Sequence, residues 1–125
     1  MKQKVVVILG LVVALSGGLR VYGLDWGTDW QTGVFHRFHT DEATLVDSAH
    51  LVGEDLKAIR ASYGKAPMYL LFGVAHGLGA LVGIEPFDFE DNRSVRFTHL
   101  VGWGMSALFG TLTVWLVFLI GRRLG

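Results

Sequence analysis

The sequence predicts an all-α membrane protein, with two transmembrane helices joined by a large extracytoplasmic loop that carries two interfacial helices. Three observations lead there. Hydrophobic residues make up 51% of the 125 and the mean hydropathy is +0.44, which is apolar for a soluble domain of this size. Two long runs, residues 5–24 and 97–120, carry a single formal charge between them, that of Arg20. Charge is also sorted along the chain. All 11 acidic residues and six of the 11 basic ones lie within 25–96, so the middle carries −5 and the flanks +5. Basic ends around an acidic middle do not suit a nucleic-acid partner. The absence of cysteine excludes a disulfide framework and a Cys-ligated zinc site.

Residues 5–24 form the first span. At about 1.5 Å per residue they cross a hydrocarbon core of about 30 Å. Arg20 is expected to snorkel to the interface, with Tyr22 and Trp26 as anchors. The same run also fits a secretory signal peptide. Lys2 and Lys4 would be its basic region, and Ala14-Leu15-Ser16 its small-x-small cleavage site.

The loop, 25–96, opens with "DWGTDWQTGVFHRF", read as irregular chain with Trp26 and Trp30 at headgroup depth. A helix is expected over 41–63. Leu45, Ala49, Val52, Leu56, Ile59 and Tyr63 recur there at helical spacing, with Thr40 or Asp41 as N-cap and Gly53 as an interruption. Gly64 stops it, and Pro67 opens a second helix over 66–84. That run is apolar but holds Gly73, Gly77, Gly79, Gly83 and His76. Helical glycine costs about 1 kcal/mol relative to alanine, so the run is read as a helix lying in the outer interface.

The second span is 97–120, followed at once by Arg122 and Arg123. Basic flanks favour the cytoplasm. Two crossings put both basic termini there, in a plasma or inner membrane, and leave the loop outside. The alternative is three transmembrane helices, with 66–84 crossing as well; this would put the two basic ends on opposite sides.

The loop gathers the ionisable groups. In "HRFHTDEATL" the adjacent Asp41 and Glu42 follow His36 and His39. Acids in a first helical turn offset the positive end of the helix dipole, which is the plain structural reading. An ionised carboxylate there also suits a general base. His36, His39, Asp41 and Glu42 are the right types for a divalent cation, zinc or manganese where histidine joins the carboxylates and magnesium where only oxygens bind, with Asp41 and His39 as candidates; otherwise they are interfacial histidines beside a helix cap. Lys65, near Tyr63, Tyr69 and Arg96, is either a snorkelling lysine or part of a cationic corner for a lipid phosphate.

The order of these parts carries a resemblance. A span ends in "GGLRVYGL"; one loop helix opens with "FHTDEA" and the next with "YGKAPMYLLFGVAHGLGALVG"; "VRFTHLVG" leads into a span ending "GTLTVWLVFLIGRRLG". This resembles the N-terminal part of the GT-C polytopic glycosyltransferases, the superfamily of protein O-mannosyltransferases and aminoarabinose transferases (glycosyltransferase family 39-like). The resemblance implies an enzyme that transfers a sugar from a polyprenyl-phosphate donor to an acceptor on the extracytoplasmic face. By the same resemblance, Asp41 is the central acidic residue and Glu42 its partner, while Lys65 and Arg96 bind the donor phosphate. It further implies two juxtamembrane helices in the loop. Two positions depart from the pattern. Thr40 stands where many members have proline, and Thr44 where some have arginine. Members also have many more spans, which build the lipid groove and acceptor site, so this chain is expected to be an N-terminal portion that is inactive alone. The alternative from another class is a small non-catalytic membrane protein whose loop binds lipid or a partner span.

Overall fold

The computed structural model describes residues 2–24, 27–29, 31–32, 34–36, 40–54 and 65–124, with side chains omitted for 2–4, 40–43 and 124. Four helices follow one another: α1 (Lys2–Tyr22), α2 (Thr40–Glu54), α3 (Ala66–Val82) and α4 (Asn92–Leu124). No strand occurs among the described residues, apart from an isolated antiparallel bridge between Thr28 and Phe35. Two helices, α1 and α4, are long and apolar enough to cross a membrane. At 17 residues, α3 is shorter than the roughly 20 that a crossing takes. The chain divides into two compact units, Met1–Leu24 with Trp103–Gly125, and Asp25–Gly102.

In the first unit α1 meets the C-terminal part of α4 through small residues. A methyl group on Gly17 would stand 3.7 Å from Thr111 Oγ1, an ordinary contact, as suits close packing of apolar helices. Thr111 and Thr113 return their hydroxyls to the carbonyl oxygens of Ala107 and Phe109, each at 2.8 Å, which satisfies them within the helix. Most large apolar side chains of the unit face outward, including Val7, Leu11, Leu15, Leu116 and Val117. Arg20 Nη1 turns back one turn and donates to the carbonyl oxygen of Ser16 at 3.1 Å and to the Ser16 hydroxyl.

The second unit packs α2, α3 and the first turns of α4 around a small core. The buried face of α2 centres on Val46 and Ala49. Val46 lies off the expected stripe, whose Leu45 and Val52 are only half-buried and whose Leu56, Ile59 and Tyr63 fall outside the described residues. The helix runs through Gly53, where an added Cβ would come within 3.1 Å of the Phe72 ring; close approach to α3 explains the glycine. α2 begins at Thr40, so Asp41 belongs to its first turn rather than capping it. On α3, Met68, Leu71, Ala75 and Gly79 are buried, one face at spacings of three, four and four. Pro67 lies in its first turn as expected. The helix stops at Val82, short of 84, because Gly83 takes a left-handed conformation (φ 69°) and its N–H closes on the Gly79 carbonyl.

Where the segment expected as irregular chain is described, at 27–29 and 34–36, its backbone pairs across a turn. Asp29 N–H donates to Val34 O at 2.9 Å and His36 N–H to Gly27 O at 2.8 Å. Asp29 organises the tip, accepting from the Thr32 hydroxyl at 2.6 Å and the Gln31 N–H at 2.9 Å. The Thr32 hydroxyl first, then the Gln31 N–H, hold the Asp29 carboxyl below its ordinary value. The turn is tied to α4 by Phe35 N–H, which donates to Asn92 Oδ1 at 3.0 Å, and by the Phe35 ring, 4.8 Å from that of His99. Trp26 and Trp30 lie outside the described residues.

α4 is where the fold differs most from expectation. It has 33 residues and starts at Asn92, not 97. That is about 50 Å of helix, well beyond a hydrocarbon core of about 30 Å. Its first turns belong to the second unit, where Ser94, Thr98, His99 and Val101 are buried. Its outward apolar side chains begin at Leu108. The expected span 97–120 therefore merges two environments.

Candidate functional site

The four expected site residues stand at the beginnings of three helices. Asp41 and Glu42 lie in the first turn of α2, with side chains outside the described residues. Lys65 is exposed and immediately precedes α3, its carbonyl accepting from the Met68 and Tyr69 N–H groups at 3.1 and 3.2 Å. Arg96 is half-buried, one turn into α4. No group of three or more His, Cys, Asp or Glu side chains able to hold a metal occurs among the described residues. Of the expected set, only the exposed His36 has a described side chain, and His39 lies outside altogether.

A second constellation has fully described geometry. Ser94 and Thr98, one turn apart on α4, hold the turn between α3 and α4. The Ser94 hydroxyl donates to Glu85 O at 2.6 Å and accepts from Asp88 N–H at 3.0 Å. The Thr98 hydroxyl accepts from Phe87 N–H at 3.2 Å. Asp88 Oδ1 accepts from Glu90 N–H at 3.0 Å, and Asp91 Oδ1 from Arg93 N–H at 2.9 Å, which caps α4.

This clamp presents Phe87 to the core. Phe87 is 4% exposed and has φ 64°, the left-handed region that a side chain with a Cβ rarely adopts. Its ring lies 5.8 Å from Phe72, 5.5 Å from His76 and 6.1 Å from His50, centre to centre. His50 also meets Phe89 edge-on at 5.4 Å and lies 3.5 Å from a Glu54 oxygen. His76 Nδ1 is 2.9 Å from the Phe72 carbonyl oxygen. A carbonyl only accepts, so Nδ1 carries the proton, and in the neutral ring Nε2 keeps a lone pair.

Beside His76 lies an open groove of about 410 Å³, walled by Gly79, Gly83, Ile84, Glu85 and Pro86. Residues 84–86 pack closely against α3 because Gly79 has no side chain: a Cβ there would collide with the Ile84 carbonyl oxygen and come within 3.2 Å of Pro86. The groove lies at the C-terminal, electronegative end of α3. Along the helix axes, His50 is about 13 Å from Asp41 and Phe72 about 10 Å from Lys65, so the ring cluster is separate from the expected catalytic residues on each helix. Sequence reasoning missed it. "EPFDFEDNRSVR" reads as an acidic patch leading into the second span, and nothing in its spacing announces a buried phenylalanine. His76 was visible only as a break in an apolar run.

No family model, curated protein or solved structure matches the chain.

Proposed function

We propose that the chain is the N-terminal segment of a membrane glycosyltransferase that moves a sugar from a polyprenyl phosphate to an acceptor on the extracytoplasmic face. One observation carries the reading. The acid pair and the lysine both stand at helix beginnings, α2 at Thr40 and α3 at Ala66, between two helices long enough to cross a membrane. Helix N-termini favour negative charge, which suits an acid in the first turn of α2, and Lys65 shares its end of α3 with a positive dipole.

In the proposed reaction Asp41 accepts the proton of an acceptor hydroxyl as its oxygen attacks the anomeric carbon. The bond from that carbon to the phosphate oxygen breaks, and its electron pair leaves with the phosphate. Lys65 and Arg96 offset the charge that develops there, and attack opposite the leaving group inverts the anomeric centre. Glu42 supports Asp41. In the full-length protein, Asp41→Asn is expected to lower transfer by at least about 100-fold, the scale of a lost general base, with membrane insertion unchanged. Transfer at the wild-type rate would reject the assignment.

The proposed orientation has both termini in the cytoplasm and the second unit outside. Ser94 is a poor labelling position because it is buried and doubly bonded. Exposed Glu90 is a better one. A cysteine at position 90 is expected to react with an impermeant maleimide on intact cells, and one at position 122 only after permeabilisation. The reverse pattern would put the site on the cytosolic face and reject the extracytoplasmic assignment.

A further inference from the structure

The first unit carries a cation that the transfer reaction does not use. Arg20 stands in the last turn of α1, 16 residues and about 24 Å along the helix from Lys4. It is therefore near the far boundary of a hydrocarbon core, yet it reaches back toward Ser16 rather than outward past Tyr22. Its guanidinium lies over Gly110 of α4. A Cβ on Gly110 would stand 2.7 Å from Nε and 3.2 Å from both Cζ and Nη2, so the guanidinium keeps this position only over a glycine and would shift aside from an alanine. Ser16 occupies only Nη1, and Nε–H and Nη2 remain as donors.

Nothing in the unit can neutralise this charge. Residues 1–24 and 103–125 contain five basic side chains and no acidic one, since every Asp and Glu lies between 25 and 91. A cation at an apolar surface is costly unless an anion meets it. The surroundings are outward-facing hydrocarbon, with Leu19 on α1 and Phe109 and Leu112 on α4 all exposed. An anionic group attached to an apolar chain matches both features.

We propose that Arg20, held by Ser16 and seated on Gly110, is a clip for the phosphate of an anionic membrane lipid, whose chains lie along the exposed apolar faces of α1 and α4. Nε and Nη2 form the fork that suits two phosphate oxygens. The clip does not depend on the glycosyltransferase reading, because a non-catalytic chain would carry it equally.

The test uses the full chain in neutral detergent, with bound lipid counted by native mass spectrometry. The probes are phosphatidylglycerol, a diacylglycerol with the same chains, and inorganic phosphate. Wild-type protein is expected to retain phosphatidylglycerol roughly tenfold or more above diacylglycerol, the worth of a charge-assisted hydrogen bond. Arg20→Gln is expected to abolish that preference. Arg20→Lys keeps the charge and should fall between, because it loses the fork. Gly110→Ala should weaken retention with Arg20 still present and helix content unchanged. Arg122→Gln combined with Arg123→Gln should leave the preference intact. Equal retention of phosphatidylglycerol by wild type and Arg20→Gln overturns the proposal. So does displacement of the lipid by inorganic phosphate at comparable concentration, or cross-linking of position 20 to a carboxylate of another membrane protein.

Discussion

Replacing Phe87 with alanine is expected to destabilise the second unit by about 3–5 kcal/mol, the usual cost of deleting a buried phenylalanine. Phe87 is 4% exposed and its ring meets Phe72, His76 and His50, so truncation opens the centre of the contact between the turn and α3. The backbone adds a distinguishing mark. At φ 64° an alanine keeps the left-handed strain that a glycine does not feel, worth about 1 kcal/mol. Phe87→Gly is therefore expected to be less damaging than Phe87→Ala, the reverse of the order in an ordinary helix. Amide hydrogen exchange at residues 87 and 88 in the detergent-solubilised chain measures both. Alanine more stable than glycine would refute the assigned strain.

The second large effect is at Gly79. A Cβ there meets the Ile84 carbonyl oxygen, and backbone yields less readily than the end of a flexible side chain. Gly79→Ala is expected to cost about 1–3 kcal/mol through overpacking, to displace residues 84–86 and to change the groove beside His76. Gly73 and Gly77 on the same helix have nothing within 4 Å of an added Cβ. Alanine at either should stabilise α3 by up to about 1 kcal/mol through helix propensity alone. Thermal unfolding of the three single variants gives the comparison. Equal midpoints would mean that the close approach at Gly79 does not constrain the turn.

How legible the fold was depended on the kind of signal. Apolar length announced α1 and the C-terminal part of α4. Pro67, read as a helix start, opens α3 where expected, whereas Gly83, read as lying inside the run, ends it two residues early. The start of α4 was hidden because Arg93, Arg96 and the acids before them look like loop. Arg93 and Arg96 are helical because Asp91 caps the helix and the second unit covers Ser94 and Thr98. On α2 the periodic stripe passed over Val46, since burial there is set by what α3 brings against it rather than by α2's own pattern. The acid pair was legible as a helix beginning, because first-turn preference is local. Its chemistry is not local, and the roles of Asp41, Glu42, Lys65 and Arg96 rest on resemblance and on the tests above. The Ser94–Thr98 clamp and the cluster around Phe87 left no trace in spacing, because a hydroxyl that bonds a backbone six to eleven residues away has no repeat to betray it.

That clamp has a consequence for local opening. Three backbone groups of the turn, at Glu85, Phe87 and Asp88, find their partners on two hydroxyls one helical turn apart. If the first turns of α4 fray, all three lose their partners together, and the phenylalanine they hold is released from its ring neighbours at the same moment. The start of α4 and the turn before it are therefore expected to open together, as one cooperative piece.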